Sequence, residues 1–94
     1  MNVSEKATVV VSTHQVSSDL AGEAAILNLK DGVYYGLDPV GARVWNLIQQ
    51  RRTLEELCDI LSCEYDVEMA RLEADLRNLL IQLADKDLVE ITGD

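Results

Sequence analysis

The chain has 94 residues, 48% hydrophobic and 27% charged, the composition of one folded domain around one core. Eight Lys and Arg against seventeen Asp and Glu leave a net charge of −9, the wrong sign for a nucleic-acid footprint or for a helix lying on an anionic membrane. No apolar run approaches the roughly 18 residues of a membrane span, Met1 to Lys6 lead into no signal-peptide apolar region, and two cysteines five residues apart make no disulfide framework. The expectation is a single cytoplasmic domain over residues 1–94, its core at about 8–91, with too little interior for a sizeable catalytic cleft.

The chain divides near Asp38, beside its one proline, Pro39. Ahead of that point the pattern is β-like. Thr8-Val9-Val10-Val11-Ser12 is β-branched and predicts a first strand, continuing brokenly through Val16 toward Leu20. Ala24 to Leu29 predicts a second strand and Val33 to Leu37 a third. Between them, Lys30-Asp31-Gly32 forms a turn. A two-residue Asp-Gly loop would pair Lys30 with Val33, whereas a three-residue loop pairs Leu29 with Val33, Leu27 with Tyr35 and Ala25 with Leu37. The second register gathers the large odd-numbered apolar side chains on one face and is the one expected.

Three helices follow. Asp38 is placed to cap the first, with Pro39 at its first position and Val40, Val44, Trp45, Leu47 and Ile48 at helical spacing through about Gln50. Thr53 and Glu56 make a capping box for the second, whose inward stripe is Leu54, Leu57, Cys58 and Leu61. Asp66 is placed to cap the third and longest, with a stripe of Met69, Leu72, Leu76, Leu79, Leu80 and Leu83. Leu88 to Ile91 predicts a closing strand. The fold class expected is α+β: a winged helix-turn-helix, with a three-stranded antiparallel sheet followed by three helices.

No catalytic or metal constellation stands out. His14 is the only histidine, in a polar stretch and with no nucleophile or acid partner in sight. Cys58 lies on an apolar stripe and Cys63 near a helix end, at a spacing that does not suit zinc. Trp45 is expected in the core. From Asp66 to Asp85 the third helix carries five acidic side chains and two arginines, which phosphates repel, so a DNA-binding role for it is disfavoured. An acyl carrier is disfavoured too, because Ser17-Ser18-Asp19-Leu20 has the wrong order and lies in the β-like half. What remains is the edge of the third strand. No Lys, Pro or inward charge guards Val33 to Leu37, and Gly36 leaves the backbone approachable, so an extended peptide could add itself there; a tail or a second copy could equally cover it.

The block from Leu27 through Gly32, Val33-Tyr34-Tyr35-Gly36-Leu37 and Asp38 to Gly41-Ala42-Arg43-Val44-Trp45 resembles the PqqD-like family, in which a turn glycine and Tyr-Tyr-Gly-Leu precede Gly-Ala-x-x-Trp. Arg52 to Leu57 and Val67 to Leu88 are similar to that family's second helix start, third helix and tail. The resemblance implies a non-catalytic recognition element for a ribosomally made precursor peptide, without metal or cofactor, that binds the precursor's leader as a strand added beside the third strand and against the third helix. On this chain that implies Val33, Tyr34, Tyr35, Gly36 and Leu37 on the strand side, and Arg71, Leu72, Asp75, Leu76 and Leu79 on the helix side, with Arg71 and Asp75 free to pair with charged leader residues. A free-standing domain of this kind is most similar to the small B-type protein of lasso peptide clusters, which implies a separate leader peptidase, and the ring-closing enzyme, as further partners. The alternatives are presentation to a radical SAM maturase and an acidic winged-helix regulator.

Overall fold

The computed structural model describes residues 3–20 and 22–93. Its elements are β1 (Thr8–Val11), β2 (Gln15–Leu20), β3 (Glu23–Asn28), β4 (Tyr34–Leu37), α1 (Pro39–Leu47), β5 (Arg52–Thr53), α2 (Leu54–Glu64), α3 (Met69–Asp85) and β6 (Val89–Thr92). The class is α+β, with three helices and two small antiparallel sheets, ordered β5-β1-β6 and β2-β3-β4.

Two sheets replace the one expected, and Ser12 shows why. It is buried; its Oγ donates to the Asp87 carbonyl at 2.7 Å, and its N–H donates to the Leu88 carbonyl at 2.9 Å. Those bonds fasten the end of β1 to the chain just ahead of β6, and β1 pairs with β6 from Thr8↔Thr92 to Val11↔Val89. On its other side, Thr8 and Val9 face Thr53 and Arg52. The first strand therefore seals the chain's tail, and β2, expected only as its broken continuation, is the strand that pairs with β3.

The hairpin register also differs from the expected one by a residue. Leu27 lies opposite Tyr34, Ile26 opposite Tyr35, Ala25 opposite Gly36 and Ala24 opposite Leu37. Asn28 N–H donates to the Val33 carbonyl at 3.0 Å, and the loop spans Leu29 to Gly32, with Gly32 at φ +70° and its N–H donating to the Asn28 carbonyl. Large apolar side chains occupy both faces of β3, so apolar counting alone cannot choose between registers. Asn28 chooses. Its side chain is only 2% exposed, yet Nδ2 donates to the Lys86 carbonyl and Oδ1 accepts from Lys30 N–H, each at 2.8 Å. A buried amide is tolerated only when satisfied in this way, so Ile26 and Asn28 turn inward together, and Leu27 turns out.

The helices follow their local signals closely. Asp38 Oδ1 accepts from Gly41 N–H at 2.8 Å, capping α1 behind Pro39, and the helix ends at Leu47 rather than near Gln50. The capping box of α2 is closed in both directions: Glu56 N–H donates to Thr53 Oγ1, and Thr53 N–H donates to Glu56 Oε1. Asp66 does not cap α3. The chain stays extended to Glu68, which occupies the cap position without a side-chain bond, and the helix starts at Met69. Leu72, Leu76, Leu80 and Leu83 are buried from α3, Leu79 is half-buried and Met69 is exposed. Val40, expected to point inward, is 47% exposed. The core joins Ile26 of β3, Val44 and Trp45 of α1, Leu57 and Leu61 of α2, the α3 stripe and Val9 of β1 in one cluster.

Candidate functional site

The outer strand β4 pairs with β3 alone, so among the described residues its other edge is open. Opposed residues in an antiparallel pair alternate between hydrogen-bonded and non-bonded. Asn28 and Val33 are of the first kind, which assigns the N–H and C=O groups of Tyr35 and Leu37 to β3 and aims those of Tyr34 and Gly36 at the open edge. Val33 lies in the loop just ahead of the strand and is exposed. Tyr34 is 72% exposed, pointing away from the core, while Tyr35 and Leu37 are half-buried and packed against it.

Three residues past the end of β4, Val40 opens a second feature. A groove of about 340 Å³ is walled by Val40 and Val44 of α1, by Leu61 and Tyr65 at the end of α2, by Val67, and by one flank of α3. That flank is Arg71, Leu72, Asp75, Leu76 and Leu79, the five helix residues singled out from the sequence. The β4 residues do not line this cavity; they stand beside it, joined through Asp38 and Pro39. Sequence reasoning missed the walls from α1, α2 and Val67. The exposed valines at positions 40 and 67 were the available signal, as apolar residues next to helix starts.

The charges along α3 differ between the groove and the helix's far end. Arg71 and Asp75 pair weakly with each other across one turn of α3, at 4.0 Å and highly exposed, rather than standing free. At the other end of α3, Lys86 Nζ sits 4.9 Å from the centre of the Tyr35 ring. The Tyr35 hydroxyl donates to Asp31 Oδ2 at 3.3 Å; burial first, then the neighbouring carboxylate and its hydrogen bond, push the phenol pKa above its ordinary value.

The reactive residue types remain apart. Cys58 is buried, and its thiol is pushed further up by burial and then by Glu73, so it stays protonated near neutrality. Cys63 is exposed. His14, in a polar stretch of the sequence, is half-buried at the crossing between the two sheets, with Nε2 buried and unpartnered among the described residues. No group of three or more His, Cys, Asp or Glu among the described residues is placed to hold a metal ion. Likewise, no helix there is long and apolar enough to cross a membrane.

Fold and site together define a small α+β domain whose chemistry is that of surfaces: free backbone groups along a strand edge and an apolar groove beside it. The chain belongs to the PqqD family, since the family model for coenzyme PQQ synthesis protein D (PqqD) matches residues 23–89. Among solved structures it is similar to TbiB1 in complex with the TbiA(beta) leader peptide, with 39% identity and a TM-score of 0.85 over 90% of this chain and 99% of that one. No curated protein sequence matches it.

Proposed function

We propose that this protein is a non-catalytic recognition element that binds the leader segment of a ribosomally made precursor peptide and delivers it to the enzymes of lasso peptide maturation. One observation carries the reading: a chain 39% identical and similar in fold over almost its whole length is a protein solved with a leader peptide bound. The site geometry supports the mode. A leader lying along β4 as a fourth strand would satisfy the free backbone groups of Tyr34 and Gly36, while its alternate side chains turn toward α3 and the apolar groove. Val33 to Leu37 form the strand side; Arg71, Leu72, Asp75, Leu76 and Leu79 form the helix side. The other outer strand is guarded against such addition by Asp19, whereas β4 carries no charge. The α2–α3 pair, separated by four residues and flanked by strands, is read as a winged helix-turn-helix. Both arginines of α3 have partners, Arg71 with Asp75 and Arg77 with Glu73 and the Val3 carbonyl, which disfavours the regulator reading.

Delivery implies a second contact, and the outward face of the β2-β3-β4 sheet offers it. Val16, Leu27 and Tyr34 lie in one cross-strand row, and Ser18, Ala25 and Gly36 in the next, with no charge in either. A sheet face turned to water is ordinarily polar. A separate leader peptidase is the partner assigned to this face. The setting assigned to the complex is the cytoplasm.

The test is titration of a labelled synthetic leader from the precursor encoded beside this gene. Saturable binding at micromolar concentration or tighter, on the order of −8 kcal/mol, is expected. No saturation up to about a millimolar overturns the reading. Co-purification with a radical maturase instead of a leader peptidase would move the protein to the other branch of its family.

A further inference from the structure

The flank of α3 that walls the groove continues beyond Leu79. Arg71, Asp75, Leu79, Gln82 and Lys86 stand four, four, three and four residues apart, so they follow one line along the helix to its C-cap. At the far end of that line the C-cap residue, Lys86, reaches Tyr35 of β4. Asn28 Nδ2 holds the Lys86 backbone carbonyl at 2.8 Å, which fixes the position of the residue while leaving its side chain free to turn. The ammonium rests over the Tyr35 ring, and among the described residues no carboxylate lies within 4.0 Å of it. Asp31, the acid of the hairpin loop, already accepts from the Tyr35 hydroxyl through Oδ2 and from Val33 N–H through Oδ1. Exposed cation–aromatic contacts are weak, so a carboxylate brought alongside competes for the ammonium easily. The Arg71 end differs, because its charge is already partnered by Asp75.

We propose that Lys86 is a specificity-determining residue of the peptide groove, selecting an acidic side chain at one position of the bound peptide, the one that turns toward α3 beside Tyr35. The inference rests on the reading of β4 and α3 as the peptide site. Because side chains of a strand alternate in direction, only every second peptide residue faces α3, and only one of these lies at the Lys86 end. In a chain of net charge −9, whose general field favours basic ligands, this is a local reversal of preference.

The experiment is a charge swap. Synthetic leaders of the neighbouring precursor, carrying Glu or Lys at each α3-facing position in turn, are titrated against the wild type, Lys86→Gln and Lys86→Glu. Lys86 is exposed at a helix end, so all three proteins are expected to fold alike, which far-UV circular dichroism checks. At one position the wild type prefers Glu over Lys by about fivefold, Lys86→Gln loses the preference and Lys86→Glu reverses it, the effect fading at high salt. If the unaltered leader binds but no position reverses with Lys86→Glu, the inference falls and the leader-binding reading stands. If the unaltered leader does not bind the wild type, both fall.

Discussion

Trp45 sits at the seam between α1 and the second sheet, 2% exposed, and its indole N–H donates to Ser17 Oγ at 3.0 Å. Its place in the core was legible because a large aromatic on a helical apolar stripe has few other solutions; the partner on β2 was not, because nothing local in Ser17 points to a helix 28 residues away. His14 makes the same point in reverse. It looks solvent-exposed among polar neighbours, but it lies where the two sheets part, a position that only long-range pairing creates. Arg43 and Glu64 form the one close ion pair between helices among the described residues, with Arg43 Nε donating at 2.9 Å and Nη2 at 2.6 Å. The hydrogen bonds from Arg43 hold the Glu64 carboxyl below its ordinary value. A carboxylate whose pKa is depressed on folding adds stability above its unfolded value, and that contribution is lost as pH falls through the lower folded value. The melting temperature of the wild type is therefore expected to exceed that of Glu64→Gln at pH 7, with the gap closing below about pH 4. A gap independent of pH would mean that the pair contributes through packing and not through charge. Comparing the two proteins removes the background of the chain's other carboxylates.

At the level of elements, what could be read from the sequence was what is decided within a few residues. The caps of α1 and α2, the existence of the hairpin and the apolar stripes, apart from Val40 and Met69 at the helix starts, are local, and the structure agrees with them. The division into two sheets and the hairpin register were not legible, because Ser12 and Asn28 settle them through bonds to Asp87, Leu88 and Lys86 near the other end of the chain. Asp66 misled as a cap because Val67 N–H instead bonds the Tyr65 carbonyl, keeping the chain out of the helix for two more residues. The open edge of β4 gives a sharp test at this scale. Gly36 lies opposite Ala25 in a non-bonded pair, so its N–H points to the free edge, and a Cβ there meets nothing within 4 Å. The side chain of a substituent would stand on the outward sheet face, so Gly36→Val would not block the edge, but proline removes the donor itself. Gly36→Pro is expected to keep the fold, with stability within about 1 kcal/mol of the wild type, because proline is tolerated on an edge strand whose N–H faces solvent. Leader affinity is expected to fall by about tenfold or more, measured by the same titration. Unchanged affinity in a folded Gly36→Pro protein would rule out strand addition at Gly36.

Taken as a whole, the molecule presents two different surfaces on one short strand. The backbone groups of Tyr34 and Gly36 face the open edge, while the side chains of β4 alternate between the core and the outward apolar face. The helical half of the groove was legible only through the family resemblance, which implied Arg71, Leu72, Asp75, Leu76 and Leu79, because periodicity alone marks Leu72, Leu76 and Leu79 as core; the facing walls from α1 and α2 depend on how the helices cross, which no local pattern fixes. A strand added to β4 would widen the sheet by one strand, and its outward side chains would continue the row of Val16, Leu27 and Tyr34. A peptidase docked on that face would then touch recognition element and leader together, so its affinity should rise when the leader is bound, by the reciprocity that links two ligands on one protein. Val16 separates this coupling from leader binding itself. It is 57% exposed, stands on β2 at the far side of the sheet from the open edge, and touches neither the groove nor β4. Val16→Asp is expected to leave leader affinity within about twofold, since the exposed side chain lines no part of the site, while weakening peptidase binding and leader cleavage by about tenfold. The readouts are leader titration for the first and cleavage rate against peptidase concentration for the second. Loss of leader binding in Val16→Asp would make the two surfaces one, whereas full cleavage with the charge in place would clear the outward face of any role in docking the enzyme.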